Sequence, residues 1–144
     1  MPKSSIRLFY TNLPVVDETG KITGSVARPI IDFLLNYKHG KIIGPFRALL
    51  DSGSDYNLFP AEIADILGIR VVKGALRVTE GIGGKIVKTY RHSGIKMFVE
   101  GHSFETSIDF SKEVSVPLLG QQGFFDKINN VSFYRKEEEI IITI

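Results

Sequence analysis

The sequence predicts a mainly-β fold in which many short strands close into a barrel or sandwich, with one or two short helices. Three observations predict it. The apolar runs are short and end at glycines or polar turn residues, and the 14 glycines are spread along the whole chain. Clear helical spacing occurs in one stretch, residues 60–67. A chain of 144 residues with 43% hydrophobic and 24% charged residues can bury one core and stay soluble, as a single domain over 1–144.

In chain order, residues 6–10 read as a first strand, broken by Asn12-Leu13-Pro14. Turn chemistry follows at 17–20 and 21–24. Residues 28–37 form a stronger strand, and Lys38-His39-Gly40-Lys41 is a hairpin turn. Residues 45–50 run as a strand into Asp51. Over 60–67, Pro60 suits the first helical turn, Glu62 the positive N-terminal end and Gly68 the stop. Ile63, Ile66 and Leu67 are expected to make its apolar face. Strands are expected at 76–80, 85–90, 95–100, 103–110 and 116–119, then a short helix at 122–128. A terminal hairpin is expected from 131–134 and 139–144, turning at 135–138. Ile140-Ile141-Ile142-Thr143-Ile144 would be an aggregation-prone edge if left free. Its cover is either the chain's own core or a partner subunit.

Composition excludes several function classes. With 18 basic and 16 acidic residues the net charge is +2, too balanced to argue for a nucleic-acid partner. There is no cysteine, so disulfides, thiolate metal sites and cysteine nucleophiles are excluded. His39, His92 and His102 lack metal-ligand spacing and are read as surface residues. The basic N-terminus has no apolar core of signal-peptide length, and the apolar run at 30–35 is interrupted by Asp32. The expectation is a soluble, cytoplasmic chain with no membrane partner.

The chemistry centres on Ala48-Leu49-Leu50-Asp51-Ser52-Gly53-Ser54-Asp55. An apolar strand delivers a carboxylate into a tight turn. A carboxylate that activates water must be held rigidly and partly shielded. Gly53 lets the backbone fold close behind the acid, and Ser52 and Ser54 offer hydroxyls that lock the loop. One acid is insufficient: two close carboxyl groups sharing a proton divide into a base and an acid. No second Asp-Ser/Thr-Gly exists; Glu18-Thr19-Gly20 reads as a hairpin turn. The second acid is therefore expected from another copy of the chain, across a two-fold axis. Asp55 is expected to be a structural partner of an arginine such as Arg47.

The stretch from Asp51 resembles the active-site loop of retropepsins, the retroviral-type aspartic proteases, and of their single-domain cellular and bacterial relatives. Three further segments match in order. Glu80-Gly81-Ile82-Gly83-Gly84-Lys85-Ile86-Val87 resembles the glycine-rich flap hairpin. Val116-Pro117-Leu118-Leu119-Gly120 resembles the apolar strand behind the active-site loop, and Gly123-Phe124-Phe125-Asp126-Lys127-Ile128 the short helix after it. The resemblance covers 28–133, leaving 1–25 as an N-terminal extension and 134–144 as a C-terminal hairpin strand.

The resemblance implies a pepsin/retropepsin-like closed β-barrel half with a flap hairpin, working as a homodimeric aspartic endopeptidase. Asp51 would be the catalytic acid and base. Ser52, Gly53 and Ser54 would form the active-site loop, and Gly81, Ile82, Gly83 and Gly84 would bind substrate through their backbone. Ser54 stands where viral enzymes usually carry alanine, and a hydroxyl near the acid pair would favour an acidic working pH. The substrate would be an extended peptide or protein segment of about six to eight residues, with apolar side chains near the cut. The reaction needs neither metal nor other cofactor. The alternative is a non-catalytic peptide-binding or dimerisation domain on the same fold, and a further one is a peptidase acting only on its own precursor.

Overall fold

The computed structural model describes residues 4–80 and 82–144. Among the described residues there are twelve strands: β1 (Ser5–Phe9), β2 (Thr11–Val16), β3 (Ile22–Arg28), β4 (Ile30–Tyr37), β5 (Ile43–Leu50), β6 (Leu58–Pro60), β7 (Ala75–Glu80), β8 (Ile86–Val99), β9 (His102–Ser111), β10 (Leu118–Leu119), β11 (Asn130–Tyr134) and β12 (Glu139–Thr143). One α-helix, α1 (Ala61–Ile66), follows β6.

The main sheet runs β4-β5-β10-β6-β9-β8-β7, and a further pairing of β4 with β8 closes six of these strands into a barrel. Among the described residues β7 pairs only with β8, so the β7–β8 hairpin projects from the barrel wall. Period-2 alternation sends Phe33, Leu35, Ile95, Met97, Ile108 and Phe110 inward, each at most 2% exposed. Phe59 packs between Phe33, tilted at 5.5 Å, and Phe110, edge-on at 6.3 Å.

β1, β12 and β11 form a separate antiparallel sheet with β12 in the middle. This settles how the terminal isoleucine run is covered: β1 flanks it, and Ile140 and Ile142 are buried in the chain's own core. β2 and β3 form a two-stranded ribbon whose turn is held by Asp17. Its carboxylate accepts the amides of Thr19 and Lys21 and the Thr19 hydroxyl, the hairpin-turn role expected for Glu18-Thr19-Gly20. No helix among the described residues is long and apolar enough to cross a membrane.

Several sequence expectations are corrected. Residues 85–90 and 95–100 belong to one strand, β8, which continues through a register shift between His92 and Ile95. Gly94 absorbs that irregularity at φ 72°. The helix buries Ala61, Ile63 and Ala64, followed by Leu67, while Ile66 is 54% exposed. The helix is so short that its small residues, not Ile66, set the packed face. The expected helix at 122–128 is a single 3₁₀ turn, Phe125–Lys127. His92 is buried, with its ring Nε2 2.8 Å from the Val71 carbonyl oxygen. Its neighbours in phase on β8 face the barrel interior, which spacing alone does not reveal.

Candidate active site

Asp51 stands at the end of β5, where strand alternation continues the side of the sheet occupied by Leu49. Leu49, Leu118, Leu58, Asp109 and Arg91 are successive cross-strand partners on β5, β10, β6, β9 and β8. Direct partners present the same face. Leu118, Leu58 and Asp109 of that row line a pocket of about 290 Å³, which also holds Asp51 and is bordered by Thr79 and Glu80 of the β7–β8 hairpin.

The loop around Asp51 is fixed largely by backbone groups. The Gly53 amide donates to Asp51 Oδ1 at 3.0 Å, and the Ser54 amide closes the turn onto the Asp51 carbonyl at 3.0 Å. A Cβ on residue 53 would sit 3.3 Å from Oδ1, so glycine lets the carboxylate lie against its own loop. Ser54 Oγ donates to the Tyr56 carbonyl at 2.8 Å. Its hydroxyl therefore locks the loop as expected, but it is spent there rather than on Asp51. Ser52 is held through its carbonyl, which accepts Gln121 Nε2 at 2.8 Å.

Behind the loop, the 119–122 segment is laced to it. The Asp51 amide donates to the Leu119 carbonyl, the Gln121 amide to that of Ser54, and the Gln122 amide to that of Asp55. A Cβ at Gly120 would fall 2.3 Å from the Tyr56 carbonyl oxygen, so no other residue fits. Asn57, fully buried, joins three segments. Its Oδ1 accepts the Gly120 amide at 3.1 Å, and its Nδ2 donates to the Ser107 carbonyl at 3.1 Å and to Thr106 Oγ1 at 3.3 Å.

The Tyr56 ring has two guanidinium carbons close by, Arg91 at 4.1 Å and Arg77 at 4.3 Å. Arg77 Nη2 also donates to the Tyr56 hydroxyl at 2.9 Å, tying the projecting hairpin to the Asp51 loop. Arg91 grips the buried Asp109 carboxylate through Nε and Nη2, at 2.7 and 3.2 Å. Those bonds raise the Arg91 pKa above its ordinary value.

Of the expected site residues, Asp51, Ser52, Gly53 and Ser54 form one loop. Gly83 and Gly84 lie at the β7–β8 turn with φ of 81° and 76°. Ile82 begins the 3₁₀ turn there, and Gly81 lies outside the described residues. Asp55 does not pair with Arg47, whose Nε instead contacts Asp32 at 3.1 Å across the β4–β5 ladder. Sequence reasoning missed Tyr56, Asn57, Thr89, Arg91, Asp109 and Gln121. The proximity of Tyr56 and Asn57 to Asp51 was a usable signal; the others come from strands whose registers spacing does not fix. Among the described residues, no group of three or more His, Asp or Glu side chains is arranged to hold a metal ion.

Comparison with known proteins gives likeness in structure and none in sequence. No protein-family model matches the chain, and no curated protein matches it. The structure is similar to that of a retropepsin-like aspartic protease from Rickettsia conorii, with a TM-score of 0.60 and 14% identity over 98% of each chain. The chain thus has the retropepsin-like fold, a closed β-barrel carrying the Asp51 loop.

Proposed function

We propose that the protein is an aspartic endopeptidase that works as a homodimer, with one Asp51 from each copy. The observation that carries the reading is the setting of Asp51. It is a half-buried carboxylate pinned by the Gly53 amide, at the mouth of a pocket beneath a projecting hairpin, on a retropepsin-like barrel. Within the chain, Asp109 is committed to Arg91 and cannot serve as the second acid. A second copy supplies it by symmetry.

In that pair, two carboxyl groups about 3 Å apart hold one proton between them. The ionised one removes a proton from a bound water, whose oxygen attacks the scissile carbonyl carbon. The protonated one donates to the carbonyl oxygen, giving a tetrahedral diol. Collapse of the diol breaks the C–N bond as a proton passes to the leaving nitrogen. Gly83 and Gly84, with Gly81 and Ile82, are the flap: an extended peptide hydrogen-bonds to their backbone as an added strand.

The test is incubation of the chain with unfolded casein at several pH values beside Asp51→Asn, with sedimentation of both proteins over a concentration range. The expected result is cleavage whose specific activity rises with the dimer fraction and is lost in the variant. Equal cleavage by both proteins identifies a contaminant, and cleavage by a strictly monomeric species overturns the shared-dyad mechanism.

A further inference from the structure

The pocket beside Asp51 has a composition at odds with a purely apolar cleft. Its floor has two leucines, Leu58 and Leu118, but its far side and rim carry Asp109, Thr89, Asp55 and Glu80. Among the described residues, no lysine, arginine or histidine lines it. Of the two guanidiniums nearby, Arg91 is neutralised by Asp109, while Arg77 donates to the Tyr56 hydroxyl and is not among the residues that line the pocket. Asp55 and Glu80 make no ion pair among the described residues. Asp109 accepts one hydrogen bond per oxygen from Arg91, and each carboxylate oxygen has capacity for another.

Thr89 supplies an independent sign of a missing ligand. It is 1% exposed, it lines this pocket, and its Oγ1 is the one buried side-chain polar atom among the described residues with no hydrogen-bond partner. An unsatisfied buried hydroxyl is unfavourable unless something completes it. Thr89 and Arg91 are two residues apart on β8 and share a side of the strand, and Arg91 is the direct partner of Asp109. The orphan hydroxyl and the acids therefore belong to the same side of the sheet.

We infer that this pocket is a specificity site for a basic side chain, lysine or arginine, of the peptide bound across Asp51. The inference rests on the peptidase reading for the path of the peptide. The aliphatic stem of such a side chain packs on Leu58 and Leu118, while its cationic head meets the acids. Its N–H groups give the Thr89 oxygen the donor it lacks. An acidic side chain would meet Asp109 and Glu80 with no cation among the described lining residues to offset them, and an apolar one would leave Thr89 unsatisfied.

Binding tests this independently of cleavage. Asp51→Asn protein is titrated with labelled extended peptides of apolar background, in which a single lysine is walked along the sequence. Matched peptides carry norleucine or glutamate at the same place. At one position lysine should tighten binding about tenfold over norleucine, the size of one charge-assisted hydrogen bond. Glutamate should bind weakest there. Thr89→Val, which preserves shape, and Glu80→Gln should each shrink the lysine–norleucine gap. Absence of a gap at every position, a preference for glutamate, or no binding of any peptide overturns the inference. The wild-type chain is assayed separately for cleavage of the same peptides. A lysine gap without cleavage leaves the pocket standing as a peptide-binding site and removes the peptidase reading. Cleavage without a gap does the reverse.

Discussion

Arg91 and Asp109 are direct cross-strand partners on β8 and β9, and their side chains close a two-point ion pair over a carboxylate that is 3% exposed. Asp109 lines the pocket and the Arg91 guanidinium lies 4.1 Å from the Tyr56 ring, so the pair ties the pocket wall to that ring. Removing one partner strands the other. Asp109→Asn should lower stability by about 2–4 kcal/mol, because Arg91 then keeps a charge without its counterion. Arg91→Met with Asp109→Leu should recover most of that loss, since a packed apolar pair needs no desolvated charges. Urea denaturation of the two variants beside the wild type checks this. Equal destabilisation by the single and double changes would show that packing, not charge, is at stake.

Tyr56 couples the projecting hairpin to the Asp51 loop through its hydroxyl, which accepts Arg77 Nη2 at 2.9 Å. Tyr56→Phe keeps the ring against both guanidiniums and deletes only that bond. The expected cost to global stability is small, about 1 kcal/mol. The local effect should be larger: amides of β7 and β8 near Arg77 should exchange faster, while those of β4 and β5 should not change. In a peptidase assay, KM should rise more than kcat falls, because the hairpin contacts substrate and Asp51 is untouched.

Much of the fold was legible because it depends on local signals. The strand into Asp51, the Lys38–Lys41 turn and the 135–138 turn are marked by apolar runs ending in glycine, lysine or glutamate, and all three occur in the structure. What escaped the sequence depends on register. His92 looked like a surface residue because the three histidines lack metal-ligand spacing. It is buried because the irregularity at Gly94 keeps the preceding stretch of β8 in phase with the interior. Arg47 was matched to the wrong acid because Asp32, fifteen positions earlier, becomes its direct cross-strand partner only when the β4–β5 hairpin forms. The Asp51 triplet was readable as a motif. The polar side of its pocket was not, since Thr89 and Asp109 come from separate strands whose face is set by pairing.

Gly120 has no room for a side chain: a Cβ there would lie 2.3 Å from the Tyr56 carbonyl oxygen and 2.7 Å from that of Ser54. Both clashes are with backbone, which cannot rotate away. Gly120→Ala should push the 119–122 segment off the Asp51 loop and weaken the Asp51–Leu119 and Gln121–Ser54 bonds together. A loss of about 3 kcal/mol or more is expected, at the upper end for overpacked sites. Asn57→Ala should fall in the same range, since it orphans the buried Gly120 amide and takes one donor from the Ser107 carbonyl. If the two changes act through one loop, the double variant should be less destabilised than the sum of the singles, measured by thermal or chemical unfolding.

The β2–β3 ribbon should report acid before the barrel does. The Asp17 carboxyl lies below its ordinary pKa, held there first by the Thr19 hydroxyl and then by the amides of Lys21 and Thr19. A folded value below the unfolded one means that the closed turn prefers the ionised acid. That preference is fully present above the unfolded carboxylate range, near about pH 4, and is lost as pH falls through the folded value. The Thr19 and Lys21 amides should therefore stay protected in mild acid and open only below that range, while amides of the buried barrel strands remain protected. In Asp17→Asn the neutral amide keeps an acceptor but has no charge to lose, so the turn should be weaker at neutral pH and indifferent to acid. Amide exchange or chemical shifts followed from neutral pH downward make the comparison. A turn that opens at the same pH in both proteins would mean that some other group controls it.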